Sequence, residues 1–232
     1  MRARSEAKTE HRIPLSRDRV LWAAINIADE DGLDALTMRR LADDLGAEAM
    51  SLYYHVANKD DVLDGIVEVV VQGINDAVSG ISLSSKGADW KAAMRSRILT
   101  AREIMLRHPW APGVMQTRTN TSPAVLHYFD SLLGLMRSGG FSYDLAHHAL
   151  HALGSRALGF AQELFDPSNG PNDEESTAMI ENMADRLPHL VGMLTEVAHD
   201  DPDSTLGWCD DQTEFEFGLD LILDGLDRLR TT

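Results

Sequence analysis

Between Thr37 and Lys59 the chain reads TMRRLADDLGAEAMSLYYHVANK, and the side chains there able to make directional contacts include Ser51, Tyr53, His55 and Lys59. Hydroxyls, an imidazole, a guanidinium and an ammonium are the groups that bond phosphate oxygens and base edges. An arginine reaching a guanine is the commonest base-specific contact, and the Tyr53 ring can also lie against a thymine methyl group. The competing constellation is His147, His148 and His151. A pair at i and i+4 can bind a metal from one helix face, which would make the chain a metal-dependent helical enzyme. No Glu stands between these histidines as in HExxH and no third ligand is close in sequence, so surface or interface histidines are the preferred reading. The chain shows no glycine-rich phosphate loop and no nucleophile paired with a base, and no catalytic residue is expected.

These side chains need a scaffold. Thr37 is placed to cap a helix; Leu41, Ala42 and Leu45 follow at helical spacing, and Gly46 stands where it should stop. A second run starts near Glu48, with Leu52 and Val56 one turn apart and Ala49, Met50, Ser51, Tyr53, Tyr54 and His55 facing outward. Two helices joined by a short glycine-containing turn make a helix-turn-helix, whose second helix fits the major groove. Ser16 can cap a preceding helix that runs to Asp31 with Val20, Ala24, Ile27 and Ala28 on one face, completing a three-helix unit. Before it, residues 1–15 are basic and polar (Arg2, Arg4, Lys8, Arg12), either a disordered arm or one that enters the minor groove.

The remainder reads as helices separated by polar breaks. Asn58 can cap a helix from Asp60 to Ala77; its VEVVVQ run is β-branched enough for a strand, but Leu63, Ile66, Val67, Val70 and Ile74 keep helical spacing. A loop at Ser79–Gly87 precedes a helix from about Ala88 to His108, stopped by Pro109. Further helices are expected from Pro123 to Gly139-Gly140, from Ser142 to about Leu164, over 176–199 with a break at Pro188, and at the end of the chain. In the last, Phe215, Leu219, Ile222, Leu226 and Leu229 alternate spacings of four and three, the seam of a helix-packing face. Trp90, Met94, Met105, Trp110, Met115, Phe129, Met179 and Met183 are bulky and adaptable, which suits a ligand cavity and a plain core equally.

Charge is the observation that fits least. The formal net charge is −16; residues 1–62 carry nine Lys and Arg against twelve Asp and Glu, and the remainder twelve against twenty-five. Phosphate binding needs cations, so the first third is not basic enough to identify a nucleic-acid binder by charge alone, while an acidic body suppresses non-specific association. One cysteine, Cys209, rules out an internal disulfide framework and suits a reducing compartment. No apolar run nears the roughly 20 residues that span a membrane, and the start is not a secretory signal, so a cytoplasmic location is expected.

The segment LYYHVANKDDVLDGI resembles the operator-reading end of the TetR family of transcriptional regulators, and so do the helix from Ser16, the Gly32-Leu33 corner and the late run FEFGLDLILDGLDRL. The resemblance implies an all-α fold: a flexible arm at 1–15, a helix-turn-helix domain at 16–62, and an effector-binding and dimerisation domain at 63–232. It implies a homodimeric repressor released from a palindromic operator by a small hydrophobic effector. Thr37, Arg39, Ala49, Met50, Ser51, Tyr53, Tyr54, His55 and Lys59 would meet DNA, Arg39 matching a base-reading arginine. Met50 and Ala49 replace a proline and a glutamine of the family's founding member, which implies a different operator. Met94, Ile98, Met105, Trp110, Met115, Leu126, Phe129, His151, Met179 and Met183 would line the effector site, with Gln116, Arg118 and His127 as polar contacts. Met115 stands where the founding member has a magnesium-ligating histidine; a thioether is a poor ligand for a hard cation, so neither tetracycline–magnesium nor any cofactor is expected. The dimer would be a four-helix bundle from helices 142–164 and 210–230, with Leu145, Ala149, Ala152, Leu153, Phe160, Phe215, Leu219, Ile222 and Leu226 at its interface.

Overall fold

The computed structural model describes residues 14–81, 90–118, 122–158, 186–189, 191–192 and 211–230. The described elements are helices: α1 (Arg17–Asp31), a 3-10 turn (Leu33–Ala35), α2 (Met38–Asp44), α3 (Ala49–Leu52), α4 (Lys59–Val78), α5 (Trp90–Arg107), α6 (Ala111–Thr117), α7 (Pro123–Ser138), α8 (Tyr143–Leu158) and α9 (Asp211–Arg230). The β-branched run in α4 is helical, because its burial follows a helical period through Val62, Ile66, Val67, Val70, Val71, Ile74 and Val78. The chain divides into two compact units, one of Met1–Leu83 with Ser96–Leu135, the other of Ser84–Arg95 with Met136–Thr232.

In the first unit the starts and stops are local chemistry. Ser16, Thr37 and Asn58 sit at the N-caps of α1, α2 and α4, each accepting from a backbone N–H three residues on, at 3.3, 3.1 and 2.9 Å. Gly32 and Gly46 end α1 and α2 at φ +81° and +59°, backbone angles that side chains with a Cβ rarely adopt. Its core joins Val20, Ala24 and Ile27 of α1, Leu41 of α2, Leu52 of α3 and Ile66 and Val70 of α4 to Trp110, Ala111 and Val114 at α6. Each fully buried Val, Leu or Ile contributes about 1.5–3 kcal/mol over its exposed state, so this core holds the first unit firmly.

The second unit is built on α8, α9 and the first turns of α5. Trp90 is buried, meets Phe141 edge-on at 4.5 Å, and donates its indole N–H to Asp227 at 2.8 Å. Lys91 pairs with Asp224, and Arg95 with Glu216 at 2.5 Å and Asp220 at 2.8 Å, so α5 starts zipped to α9. Arg230 donates to the Gly139 carbonyl at 2.7 Å, closing the other end of α9 onto the α7–α8 corner. The inward register of α9 is Phe215, Leu219, Leu223 and Leu226. Leu223, not Ile222, carries the third position; Ile222 stands half-buried beside it and Leu229 is exposed, because a helix with 3.6 residues per turn drifts off a strict alternation of four and three.

Candidate nucleic-acid interface

Helix α3 is short and held from behind. Leu52 and Val56 are buried at 0% and 1% exposure, which leaves the opposite face of α3 outward. That face carries Ala49, Met50 (71% exposed), Tyr53 (46%) and Tyr54 (88%), with Ser51 and His55 half-buried at its edges. Thr37 and Lys59 are exposed at the starts of α2 and α4. Arg39 extends into solvent, its only ion pair among those described being a 4.0 Å contact to Asp43, whereas Arg40 is drawn back to Asp31 at 2.9 Å. Beside the turn, an open crevice of about 800 Å³ is lined by Pro14, Leu15, Arg19, Leu45, Gly46, Ala47, Glu48 and Ser51.

A charged knot ties the end of this segment to α1 and α4. Asp61 accepts the Ala57 N–H at 2.7 Å and pairs both oxygens with Arg17, at 2.8 and 3.1 Å, while Arg17 also donates to the His55 carbonyl at 3.1 Å. The Arg17 hydrogen bond is the main reason the Asp61 carboxyl lies below its usual range; the same bond holds the Arg17 guanidinium above its own. A second tie comes from α6. Arg118 donates twice to Asp60, at 3.0 and 3.1 Å, and its Nε makes a 2.6 Å charge contact with Asp64 that is not aligned as a hydrogen bond. A third joins Asp29 of α1 to the α5–α6 corner, through the Trp110 indole at 2.6 Å and His108 Nδ1 at 3.0 Å.

The residues expected to line an effector site fall in both units and differ in burial. Trp110 belongs to the core of the first unit, with Met105 and Met115 packed half-buried against it. Ile98 (5% exposed) lies in that unit; Met94 (0%) lies in the other. Arg118 is committed to Asp60 and Asp64. Gln116, Leu126, His127 and Phe129 are exposed, and Met179 and Met183 lie outside the described residues.

In the second unit Ala149, Leu153, Phe215, Leu219 and Leu226 are buried within the chain itself, Leu145 and Ile222 are half-buried, Ala152 is exposed, and Phe160 lies outside the described residues. The apolar surface left open on α9 is Phe217, Leu221 and Leu229, each about 60% exposed. The His147 and His151 rings are exposed and meet edge-on, 4.6 Å apart. Among the described residues no group of three His, Cys, Asp or Glu side chains is placed to hold a metal ion.

Sequence reasoning passed over two buried polar residues, Asn75 and Arg97, at 6% and 8% exposure. A signal existed for both. Asn75 follows Ile74 on the buried stripe of α4, and Arg97 lies three residues beyond Met94, so each is a polar residue in a core register.

Residues 83–230 match the family described as tetracyclin repressor-like, C-terminal domain, and residues 20–66 match bacterial regulatory proteins, tetR family. An HTH-type transcriptional regulator of Saccharopolyspora erythraea is 33% identical over 138 residues, 60% of this chain and 56% of that protein. The HTH-type transcriptional repressor DrrR1 of Streptomyces coeruleorubidus is 30% identical over 226 residues, 93% of this chain and 78% of that one. Among solved structures, the Streptomyces coelicolor TetR family protein ActR in complex with actinorhodin superposes with a TM-score of 0.70 at 27% identity, covering 92% of this chain and 97% of that chain.

Proposed function

Because the chain belongs to the TetR family of bacterial transcriptional regulators, we propose that it is a homodimeric cytoplasmic repressor that holds a palindromic operator and releases it on binding a small hydrophobic effector. The observation that carries this is the exposed strip Met50, Tyr53, Tyr54 with Arg39, projecting from a unit whose Leu41, Leu52 and Val56 are at most 1% exposed. Bulky aromatic and thioether groups left in water on a rigid scaffold are surface kept for a partner. Two-fold symmetry of the protein demands matching half-sites in the duplex. The open Phe217, Leu221 and Leu229 face of α9 favours a second copy as the other half of the bundle.

Release follows from linkage. An effector that binds better to the conformer with displaced reading helices weakens DNA binding, and DNA weakens effector binding by the same factor. Helix α4 starts directly behind the reading segment, and Arg118 ties its first turns to the end of α6. A displacement at α6 therefore has a charged link through which to reach the DNA face. The ActR complex with actinorhodin supports a small organic molecule as the signal. Metal-dependent catalysis at His147 and His151 gains no support from two exposed rings that contact each other.

The test is a gel shift with purified protein and an operator selected from random duplexes. Tyr53→Ala or Arg39→Ala abolishes retention while the dimer persists in sedimentation; full retention by both variants sinks the recognition surface.

A further inference from the structure

In the unit that carries the reading helices, one positive charge is buried without a negative partner. Arg97 of α5 is 8% exposed; its Nε donates to the Ile81 carbonyl at 2.9 Å and its Nη1 to the Ser131 hydroxyl at 3.0 Å. Among the described residues no carboxylate pairs with it, although Arg17 is met by one and Arg95 and Arg118 by two each. A guanidinium stays protonated inside proteins, and two neutral oxygens offset only part of the cost of taking it out of water. Burial lowers the Arg97 pKa from its ordinary value, and the group working against that is Tyr128, whose own pKa is pushed up to about 12 by burial, so it supplies a neutral phenol at neutral pH.

A second buried group is incomplete in the opposite sense. Asn75 of α4 is 6% exposed; its Nδ2 donates to the Ala124 carbonyl at 2.9 Å and its Oδ1 accepts nothing. Buried acceptors without donors are rare and costly. Both groups bridge from α4, or the residues just after it, to α7, where Ala124 and Ser131 are seven positions apart, roughly 10 Å along the helix axis.

We propose that Arg97 and Asn75 are the polar contacts of the effector site, and that the effector is an amphipathic organic anion. A carboxylate, sulfonate or phenolate oxygen meets Arg97, a hydroxyl or N–H donates to Asn75 Oδ1, and an apolar frame joins the two. The proposal rests on the ligand-released repressor above and narrows its signal to a chemical class. If Arg97 served only to strap the exit of α4 to α7, affinity would not depend on ligand charge.

The experiment uses the full-length protein and two fluorescent probes with the same rings, 8-anilino-1-naphthalenesulfonate and the uncharged N-phenyl-1-naphthylamine. The net charge of −16 opposes any general attraction of the sulfonate, so a preference for it is informative. The expected result is that the native protein binds the sulfonate about tenfold more tightly or better, as charge-assisted hydrogen bonds would give. Arg97→Met brings the two affinities within about twofold without weakening the neutral probe, and Arg97→Lys keeps part of the preference. Equal affinities in the native protein overturn the proposal even if Arg97→Met fails to fold; so does a sulfonate preference that survives in folded Arg97→Met. If native protein that still retains operator DNA binds neither probe saturably, the effector site itself is wrong and the proposal falls with it.

Discussion

Arg118 sets its Nε 2.6 Å from Asp64 Oδ1, so the residue that follows α6 grips the second turn of the helix behind the reading segment. The same guanidinium donates twice to Asp60 in the turn before, and that bond is the main cause of its raised pKa. Arg118 is 20% exposed and Asp64 34%, so the pair keeps some, not all, of its attraction against solvent screening. A double-mutant cycle in urea with Arg118→Ala and Asp64→Ala is expected to give a coupling of about 1 kcal/mol. Strict additivity would mean that no energetic link joins α6 to α4 through these residues.

The Arg17–Asp61 knot predicts a pH signature. The Asp61 carboxyl is held below its usual value, chiefly by the Arg17 hydrogen bond. Its stabilisation is therefore complete above the unfolded-state pKa of about 3.9 and is lost as pH falls through the lower folded value. Asp61→Asn should lower the melting temperature at about pH 7, and the gap to the native protein should close toward about pH 3. A gap that stays constant across that range contradicts the assigned origin of the stabilisation.

Two glycines in and after α7 should respond in opposite ways to alanine. A Cβ at Gly139 would lie 2.8 Å from the Trp90 Cβ and 3.2 Å from the Met136 carbonyl oxygen, neither of which is a flexible end. Gly139→Ala is expected to cost about 1–3 kcal/mol of stability. At Gly134, inside α7, a Cβ meets nothing within 4 Å, so Gly134→Ala should be neutral or stabilising by up to about 1 kcal/mol through helix propensity. Melting curves of the two variants decide it.

Self-association should depend on the open face of α9, not on its inward seam. Leu221 is 59% exposed, so Leu221→Arg leaves the packing of one chain intact while placing a charge where a second copy would sit. Sedimentation should show a folded monomer with an unchanged helical circular dichroism spectrum. A Leu221→Arg protein that sediments as the native dimer removes this face from the interface.

The helices and the outward side of α3 were legible because their signals are local. Thr37, Gly46 and Asn58 act within three residues of themselves, and Leu52 and Val56 determine the outward side of α3 by spacing alone. Contacts between residues far apart in sequence left no such trace. Nothing near Asp29 announces that it receives Trp110 and His108, about eighty residues later, and so Trp110 reads as a ligand contact when its indole is committed to the core. Arg118 likewise reads as an available cation until Asp60 and Asp64 are seen beside it. On α9 the alternation of four and three chose Ile222, where the three-dimensional period chooses Leu223. Charge was the weakest guide, since the net sum does not say that Arg39 and Lys59 stand exposed beside α3.

The most direct measurement is selection of duplexes from a random pool by the full-length protein, with Tyr53→Ala and Arg39→Ala proteins in parallel. The expected result is enrichment of one two-fold symmetric sequence by the native protein, half-sites about one helical turn or a small multiple apart, and none by either variant. Enrichment of an asymmetric site, or of the same sequence by both variants, would contradict it.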